Sequence, residues 1–218
     1  MSIFGKNKKY AKIKMEIDGC EKEITVKRVK SVQGLYYIKK IKFDFNDIIT
    51  KLDEKNWSPI YDSNSRKVQH YGYKYNYTTR NIYEKCDDIP DFLVKLQYYL
   101  SLICQKINII DDKYEFNQCI VNNYDIGQGI TKHTDIKSYG KVIGCFTFNS
   151  GCNMIFRKDN KKETIYVKPN SLYIMSGECR YDWTHEMPKG NSDMVDNEKI
   201  NRSRRISVTF RNVPNKME

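Results

Sequence analysis

The second half of the chain is a succession of short strand-like segments. Eight of them combine alternating polarity with β-branched or aromatic residues, at 116–124, 130–133, 141–148, 152–157, 163–167, 171–175, 181–185 and 204–212. Turn-forming residues separate the segments, including Asn149-Ser150-Gly151 and Lys168-Pro169-Asn170. Strands this short need a second layer to bury their apolar face. The pattern therefore predicts a mainly β fold, either a sandwich or a jelly roll.

A helix is predicted before these strands. Apolar residues recur there at helical spacing, namely Leu93, Leu96, Leu100, Ile103 and Ile107. Pro90 suits the first turn of this helix, and the apolar stripe is expected to pack under a sheet. Nearer the N-terminus, 35–41 has the pattern of a strand, and Asn46 is placed to cap a helix that runs toward Lys55.

Two metal-type ligands, His133 and Asp135, are spaced by two residues. On a strand such residues share a face, as Asn122 and Tyr124 do a little upstream. The chain has only 3 histidines, and His185 is the candidate for a third ligand. Two histidines and one carboxylate form the ligand set of non-heme Fe(II) oxygenases. An ordinary surface pair is the alternative for an isolated H-x-D, because so short a motif often occurs by chance.

The last strand segment alternates completely. One face carries Arg205, Ser207, Thr209 and Arg211, and the other carries Ile206, Val208 and Phe210. The polar row could simply be solvated. Beside a metal site, its arginines would instead suit a dianionic co-substrate, because a guanidinium binds a carboxylate through two parallel charge-assisted hydrogen bonds.

Three motifs resemble those of the AlkB family of Fe(II)/2-oxoglutarate dioxygenases. They are N-x-Y-x-x-G-x-x-I-x-x-H-x-D, W-x-H and R-x-S-x-T-F-R, within a likeness that extends from about Leu35 to Val213. The local sequences are most similar to the branch that includes tRNA wobble-uridine hydroxylases. Two positions depart from the family pattern: Ile126 stands where Pro commonly precedes the glycine, and Lys137 replaces an acidic or His residue.

The resemblance implies a double-stranded β-helix, which is a jelly-roll core, and a set of ligands. It implies that His133, Asp135 and His185 bind Fe(II), with 2-oxoglutarate and dioxygen as co-substrates. Oxidative decarboxylation would yield succinate, CO2 and a hydroxylated substrate.

The same resemblance assigns four residues to 2-oxoglutarate. Arg205 and Tyr124 would hold its distal carboxylate, while Asn122 and Arg211 would lie near its 1-carboxylate. Arg211 could also orient Asp135.

A Tyr-rich segment at 66–77 is the candidate for substrate contact. Alternating tyrosines are good strand residues, but aromatics interleaved with cations can also stack on bases and hold phosphates. The segment resembles the substrate lid of the family, with Tyr73, Tyr75 and Arg66 as candidate contacts and Lys137 on the same side of the site. His70 is predicted to be structural or part of the lid and not a ligand.

The bulk composition favours a polyanionic partner. Lys+Arg 38 against Asp+Glu 27 give a net charge of +11 and a pI near 9.2. The 7 cysteines include no C-x-x-C pair, which argues against zinc or disulfides and for a reducing compartment. No segment has the apolar length of a membrane span or a secretory signal. We expect a soluble intracellular protein, cytoplasmic or nuclear, with no membrane and no obligate protein partner.

The sequence divides the chain into four parts. They are a basic N-terminal extension at 1–34, a part with lid and supporting helix at 35–115, the double-stranded β-helix core at 116–213, and a tail at 214–218. The extension contains a short alternating piece at 23–29 that could be a strand. It could be a nucleic-acid arm, but a solvated or partly ordered segment is the more usual outcome for such charge runs.

Several functions remain open at this stage. Oxidative demethylation of N-alkylated bases in single-stranded DNA or RNA is the leading hypothesis. A tRNA wobble-uridine hydroxylase is the alternative, and a protein hydroxylase or demethylase and a catalytically silent binding module of the same fold follow.

Overall fold

Strands dominate the computed structural model, which describes residues 3–4, 8–17 and 19–214. In chain order the strands are β1 Tyr10–Ile17, β2 Cys20–Arg28, β3 Leu35–Ile38, β4 Ser58–Pro59, β5 Lys67–Tyr71, β6 Tyr73–Asn76, β7 Asn81–Lys85, β8 Gln118–Tyr124, β9 Ile130–His133, β10 Val142–Asn149, β11 Cys152–Lys158, β12 Lys161–Val167, β13 Ser171–Ser176, β14 Thr184–Met187, β15 Ser192–Val195, β16 Glu198–Asn201 and β17 Arg205–Arg211. The helices are α1 Phe45–Asp53, α2 Asp91–Lys106 and α3 Gly177–Tyr181.

The strands form a large sheet and a small one. The large sheet has the order β1-β2-β3-β13-β10-β17-β8-β5-β4, and the small one has the order β12-β11-β14-β9. The strand pairs are antiparallel, and the chain crosses repeatedly between the sheets: β8, β10, β13 and β17 lie in the large sheet, and β9, β11, β12 and β14 lie in the small one. This arrangement confirms the predicted jelly-roll core. Two separate hairpins, β6–β7 and β15–β16, lie outside these sheets.

One face of the large sheet packs against α1 and α2. The predicted apolar stripe of α2 is buried as expected, with Leu93, Leu100 and Ile103 fully inaccessible. Gly144 on β10 permits this contact, since a Cβ there would lie 2.4 Å from the Leu100 side chain. Packing of an amphipathic helix on the centre of the sheet fixes the position of β10 and its neighbour β17.

The other face of the large sheet looks toward the small sheet. A second hydrophobic cluster fills this inter-sheet space, with Met154 and Phe156 from β11 and Tyr173 and Met175 from β13. The alternation predicted for β17 is confirmed, because its apolar residues belong to the helix-side cluster and its polar ones line a cavity between the sheets. Neither face of β17 is solvated.

The expectation of a solvated N-terminal extension is wrong for its described residues. Strands β1 and β2 form a hairpin that extends the large sheet, and Ala11, Ile13, Met15 and Ile17 are buried. The intervening lysines obscure this two-residue period in the sequence. They face solvent and pair across the hairpin, as Lys12 does with Glu23 at 2.8 Å. The first residues of the predicted extension and most of the predicted tail, 215–218, lie outside the described residues.

One prediction near the C-terminus also needs correction. The segment at 181–185 is not one strand, because α3 ends at Tyr181 and β14 begins at Thr184. Farther along the chain, β15 and β16 pair around Asp196 and Asn197, which both have positive φ. Two such residues make a tight hairpin turn that matches strand twist.

Three smaller points complete the fold. Asp44, and not Asn46, caps α1, since its side chain accepts a hydrogen bond from the Asp47 amide at 3.2 Å. All 7 cysteines are free thiols, and five of them are buried. Among the residues that the structure describes, no helix has both the length and the apolar character to cross a membrane.

Candidate active site

The two histidines of the predicted triad face each other across neighbouring strands. β9 pairs with β14 so that His133 lies directly opposite His185, with ring centroids 4.3 Å apart. Asp135 lies two residues after His133, which is the last residue of β9. The ligand atoms of the three side chains all lie within 4.8 Å of one another. The pairing of β9 with β14 therefore brings together two histidines that are fifty-two positions apart in sequence.

The protonation states in this cluster suit a divalent cation. The Nδ1 atom of His133 is 2.7 Å from the Thr131 carbonyl oxygen, so it carries the proton and leaves Nε2 as the free lone pair. Burial, reinforced by His133, lowers the pKa of His185 to about 3 and keeps that imidazole neutral. Burial opposes the charged form of Asp135, but Arg211 and the neighbouring cationic groups hold the pKa of this carboxyl well below its usual range.

The Asp135 carboxylate is oriented by Arg211. The Arg211 Nε and Nη2 atoms donate to Oδ1 at 2.9 and 2.7 Å. The other oxygen, Oδ2, is buried without a hydrogen-bond partner and lies 3.5 Å from His185 Nε2. Because His185 is neutral, that contact is not an ion pair. A buried carboxylate oxygen beside two imidazole nitrogens fits a bound metal ion, which would satisfy all three.

An inner cavity extends from this cluster between the sheets. Its polar wall is formed by β8 and β17 and consists of Asn122, Tyr124, Arg205, Ser207, Thr209 and Arg211. The Arg205 guanidinium donates to Thr147 Oγ1 at 3.0 Å and lies over the Tyr124 ring, 5.3 Å from its centroid. Arg205 Nε and Arg211 Nη1 are buried and have no hydrogen-bond partner among the described residues. These two donor atoms and the buried charge of Arg205 fit a small dianion, since an uncompensated buried charge is costly.

Arg66 links this inner wall to the surface. Its Nε atom donates to Asn122 Oδ1 at 2.9 Å, and its guanidinium carbon lies 5.5 Å from the Tyr77 ring and 5.9 Å from the Tyr124 ring. The sequence singled out Arg66 only as a substrate contact. The position of its partner Asn122, fifty-six residues away, has no local signal in the sequence.

An outer cleft of about 510 Å³ opens on the other side of the metal-ligand cluster. Tyrosines and cations line it, namely Tyr61, Tyr75, Tyr77, Tyr139, Arg66, Arg80 and Lys189. His133, Asp135 and Arg211 belong to both the cleft and the inner cavity. The cluster therefore lies at the junction of a small polar cavity and a wider aromatic cleft.

Two of the four predicted substrate contacts line this cleft, and two do not. Arg66 and Tyr75 line it. Tyr73 packs against the small cluster of Ile82 and Tyr139, and Lys137 is exposed and is not among the described residues that line the cleft. The β6–β7 pairing shifts register between Lys74 and Tyr75, but the extra residue belongs to β7, so β6 itself is uninterrupted. Tyr75 packs against the same cluster as Tyr73 and in addition lines the cleft.

His70 is a structural residue of the lid, as predicted. It lies on β5, and its Nε2 atom is 3.3 Å from the Tyr77 hydroxyl oxygen. Burial lowers the pKa of His70 to about 4, with a contribution from Arg211. The same burial raises the pKa of Tyr77. His70 thus supports a tyrosine of the cleft and takes no part in the ligand cluster.

Arg180 was not identified in the sequence as a site residue. It lies on α3, is 1% exposed, and donates to the carbonyl oxygens of Asp135, Ile136, Tyr139 and Gly140 at 3.1, 2.6, 3.2 and 3.3 Å. These four acceptors belong to the turn that carries Asp135. The predicted strand at 181–185 hid the short helix, so the sequence provided no reason to aim Arg180 at this turn.

Comparison with known proteins identifies the class. Residues 46–211 match the family model of the 2OG-Fe(II) oxygenase superfamily. The chain is 36% identical over 201 residues to the uncharacterized protein L905 of Acanthamoeba polyphaga mimivirus, covering 88% of this chain and 90% of that protein. It is 30% identical over 195 residues to the Arabidopsis thaliana alkylated DNA repair protein ALKBH8 homolog, covering 77% of this chain but only 54% of that protein.

The solved structure of OsALKBH1 has the same fold. It superposes with a TM-score of 0.61 at 16% identity, covering 86% of this chain and 99% of that one. The chain belongs to the 2OG-Fe(II) oxygenase superfamily and, within it, to the AlkB-like family. It is thus an oxygenase that uses Fe(II), 2-oxoglutarate and dioxygen.

Proposed function

We propose that this oxygenase acts on bases of single-stranded DNA or RNA, and that its main reaction is oxidative demethylation of N-alkylated bases. One observation carries the proposal: a cleft lined by tyrosines and cations opens directly onto the metal-ligand cluster. Aromatic faces stack on bases, and Arg and Lys hold phosphates. The net charge of +11 and the name of the Arabidopsis relative, which refers to repair of alkylated DNA, agree with it.

In this proposal His133, Asp135 and His185 hold Fe(II). Arg205 and Tyr124 bind the distal carboxylate of 2-oxoglutarate at the far end of the inner cavity. Iron, 2-oxoglutarate and dioxygen together supply the oxidising power for hydroxylation of a substrate C–H bond. The role of the chain is to hold these groups, exclude bulk water from the inner cavity and present the substrate carbon from the cleft.

Asn122 and Arg211 belong to the inner wall and also line the outer cleft. We place the 1-carboxylate of 2-oxoglutarate beside them. Arg66 keeps the Asn122 side chain in position through its hydrogen bond to Oδ1, so that the amide nitrogen remains available to a ligand. Arg211 has one buried donor beyond those that bind Asp135.

The proposed reaction is balanced in atoms and electrons. One oxygen atom of dioxygen enters the methyl C–H bond to give a hydroxymethyl group, and the other enters succinate. 2-Oxoglutarate supplies two electrons and loses its 1-carboxylate as CO2. The hydroxymethyl group on nitrogen then leaves as formaldehyde, and the nitrogen recovers the proton of the hydroxyl group. A base must leave its stack to enter the cleft, which costs least in single strands.

Hydroxylation of a wobble-uridine side chain in tRNA is the second candidate. It is favoured by the local likeness of 116–130, 176–185 and 204–213 to the branch that contains such enzymes. The two reactions use the same inner cavity and differ only in the base that the cleft admits. In the second reaction the hydroxyl group stays on carbon and no formaldehyde is released.

The test is to incubate the iron-loaded protein and 2-oxoglutarate with a panel of single-stranded oligonucleotides carrying N-methylated bases or modified wobble uridines. Base masses are read after digestion. A loss of 14 mass units, about one CH2 group, with release of formaldehyde identifies demethylation, and a gain of one oxygen identifies hydroxylation. If no base changes while 2-oxoglutarate is still consumed, nucleic acid is the wrong substrate class.

A further inference from the structure

The outer cleft has an excess of positive charge. Among its described lining residues, Arg66, Arg80, Lys189 and Arg211 are cationic, and Asp135 is the single carboxylate. Arg80 and Lys189 are exposed at the rim, whereas Arg66 lies half-buried between the Tyr77 and Tyr124 rings. The cleft therefore has three more formal positive charges than negative ones.

Asp135 is not available to a substrate. One of its carboxylate oxygens accepts from Arg211 and the other faces His185 within the ligand cluster. In the proposed loaded state, the two charges of Fe(II) and the two of 2-oxoglutarate cancel. The excess of positive charge therefore remains when a substrate base enters.

We infer that the cleft selects electrically neutral modified bases and discriminates against cationic alkylated bases. This inference rests on the proposed function and narrows its substrate class. A base such as 1-methyladenine or 3-methylcytosine carries a positive charge at neutral pH and would meet Arg66 with no acidic side chain to pair it. Like charges repel strongly in a partly desolvated cleft. N6-methyladenine and modified uridines are neutral, and their ring nitrogens or carbonyl oxygens can accept from a guanidinium.

The rim cations do not decide this selectivity. Arg80 and Lys189 can pair with backbone phosphates, which are the same for every oligonucleotide of one length. Their contribution cancels in the ratio of two affinities measured on oligonucleotides that differ in one base. Arg66 lies deeper and is therefore the residue expected to discriminate between bases by charge.

The experiment compares isomeric methylated bases, of which one is neutral and the other is cationic. Wild-type protein loaded with Mn(II) and 2-oxoglutarate is titrated with oligonucleotides of one sequence that carry N6-methyladenine or 1-methyladenine, and then N4-methylcytosine or 3-methylcytosine. Fluorescence anisotropy gives each Kd. Both neutral isomers should bind about tenfold more tightly than their cationic partners.

Three variants test whether the preference depends on Arg66. Arg66→Gln removes the charge but keeps an amide donor, and it should reduce the ratio to about threefold or less. Lys85→Gln changes the same charge at an exposed position of β7 outside the cleft and should leave the ratio as in the wild type. Arg80→Gln, at the exposed tip of the lid hairpin, should weaken all four oligonucleotides alike.

The outcomes separate the inference from the proposed function. Equal or tighter binding of the cationic isomers by the wild type overturns the charge selectivity and leaves nucleic acid as the substrate. An unchanged ratio in folded Arg66→Gln protein also overturns it, since the preference would then have another source. If no oligonucleotide binds with a measurable dependence on salt, the proposed function itself fails.

Discussion

The inner cavity and the outer cleft share five lining residues, Asn122, Ile130, His133, Asp135 and Arg211, but the rest of their walls is built in different ways. The polar inner wall comes from β8 and β17, adjacent strands in the interior of the large sheet that are hydrogen-bonded on both sides. Apart from Ile120 and the shared residues, the outer wall comes from the β6–β7 hairpin, the segments at 60–66 and 127–139, and Lys189, which lie outside the strands of that sheet. The chemistry is thus fixed by the most constrained strands, and substrate choice is left to peripheral elements that can change without disturbing it.

This contrast predicts that variants of the two regions fail in different assays. The largest effect is expected at the junction. His185→Ala should abolish stoichiometric metal binding, because removing one of three ligands leaves the cluster too weak to compete with water. His70→Ala provides the matched control, since His70 contacts Tyr77 and not the cluster. Mass spectrometry gives the metal content per protein. Equal metal content in the two variants would contradict the assignment of His185 as a ligand.

The inner cavity alone should respond to Arg205→Ala. Loss of this buried guanidinium removes the partner of a carboxylate, and such a loss costs roughly 3–5 kcal/mol, or a factor of hundreds in 2-oxoglutarate affinity. Metal affinity should remain within about threefold, because Arg205 does not contact the ligand cluster.

Arg204→Ala is the control for that experiment. Arg204 faces the other way and binds Asp53, with Nη1 2.7 Å from Oδ2, and also donates to Asn123. Its loss should lower the unfolding midpoint and leave 2-oxoglutarate affinity nearly unchanged. Equal losses of 2-oxoglutarate affinity in the two variants would mean that the side chain of Arg205 does not point into the inner cavity.

A smaller effect is expected for Arg180→Lys. Lysine keeps the charge but cannot donate to the four carbonyl groups of the turn that carries Asp135. Metal affinity should fall by about 10–100-fold, the usual range for residues that orient a ligand. At saturating metal, 2-oxoglutarate affinity should be nearly normal. A lower unfolding midpoint with unchanged metal affinity would assign Arg180 a purely structural role.

The outer cleft alone should respond to Tyr75→Ala. Loss of one stacking surface should weaken a single-stranded oligonucleotide by about tenfold, while 2-oxoglutarate affinity stays as in the wild type. Tyr73→Ala, two residues away on the same strand but not among the described residues that line the cleft, should have a much smaller effect on binding. If Tyr73→Ala had the larger effect, Tyr73 and not Tyr75 would be the tyrosine of β6 that meets the base.

The smallest effect concerns pH and the His70 support of the cleft. The pKa of His70 is about 4 in the folded protein and about 6.5 when unfolded, so the unfolded state binds more protons between these values. The contribution of neutral His70 to the free energy of unfolding is therefore complete above pH 6.5 and is lost as the pH falls toward 4. His70→Gln should therefore reduce the loss of unfolding free energy between pH 6 and 5 by about 1 kcal/mol. Urea titrations of the metal-free proteins at both pH values would measure the difference.

The same contrast explains what the sequence could predict. The facing of Arg205 and Arg211 followed from a two-residue period along one uninterrupted strand, and the triad followed from ligand types and spacing. No such period describes Arg180 or the Arg66–Asn122 bond, which depend on tertiary placement. The sequence alone does not show which tyrosine of β6 meets the cleft, because Tyr73 and Tyr75 have the same two-residue period and differ only in tertiary placement. The possible strand at 23–29 corresponds to β2, but lysines between the apolar residues concealed its partner β1.

The most direct test of this account is the ratio of succinate formed to bases altered, measured with iron, 2-oxoglutarate and a single-stranded oligonucleotide that carries a neutral N-methylated base. The account predicts one succinate for each base changed, with faster succinate formation when the oligonucleotide is present. His133→Ala should form neither product. The account claims that the inner cavity and the outer cleft serve one reaction at one metal ion. It would be contradicted if no oligonucleotide accelerated succinate formation, or if the base changed without 2-oxoglutarate.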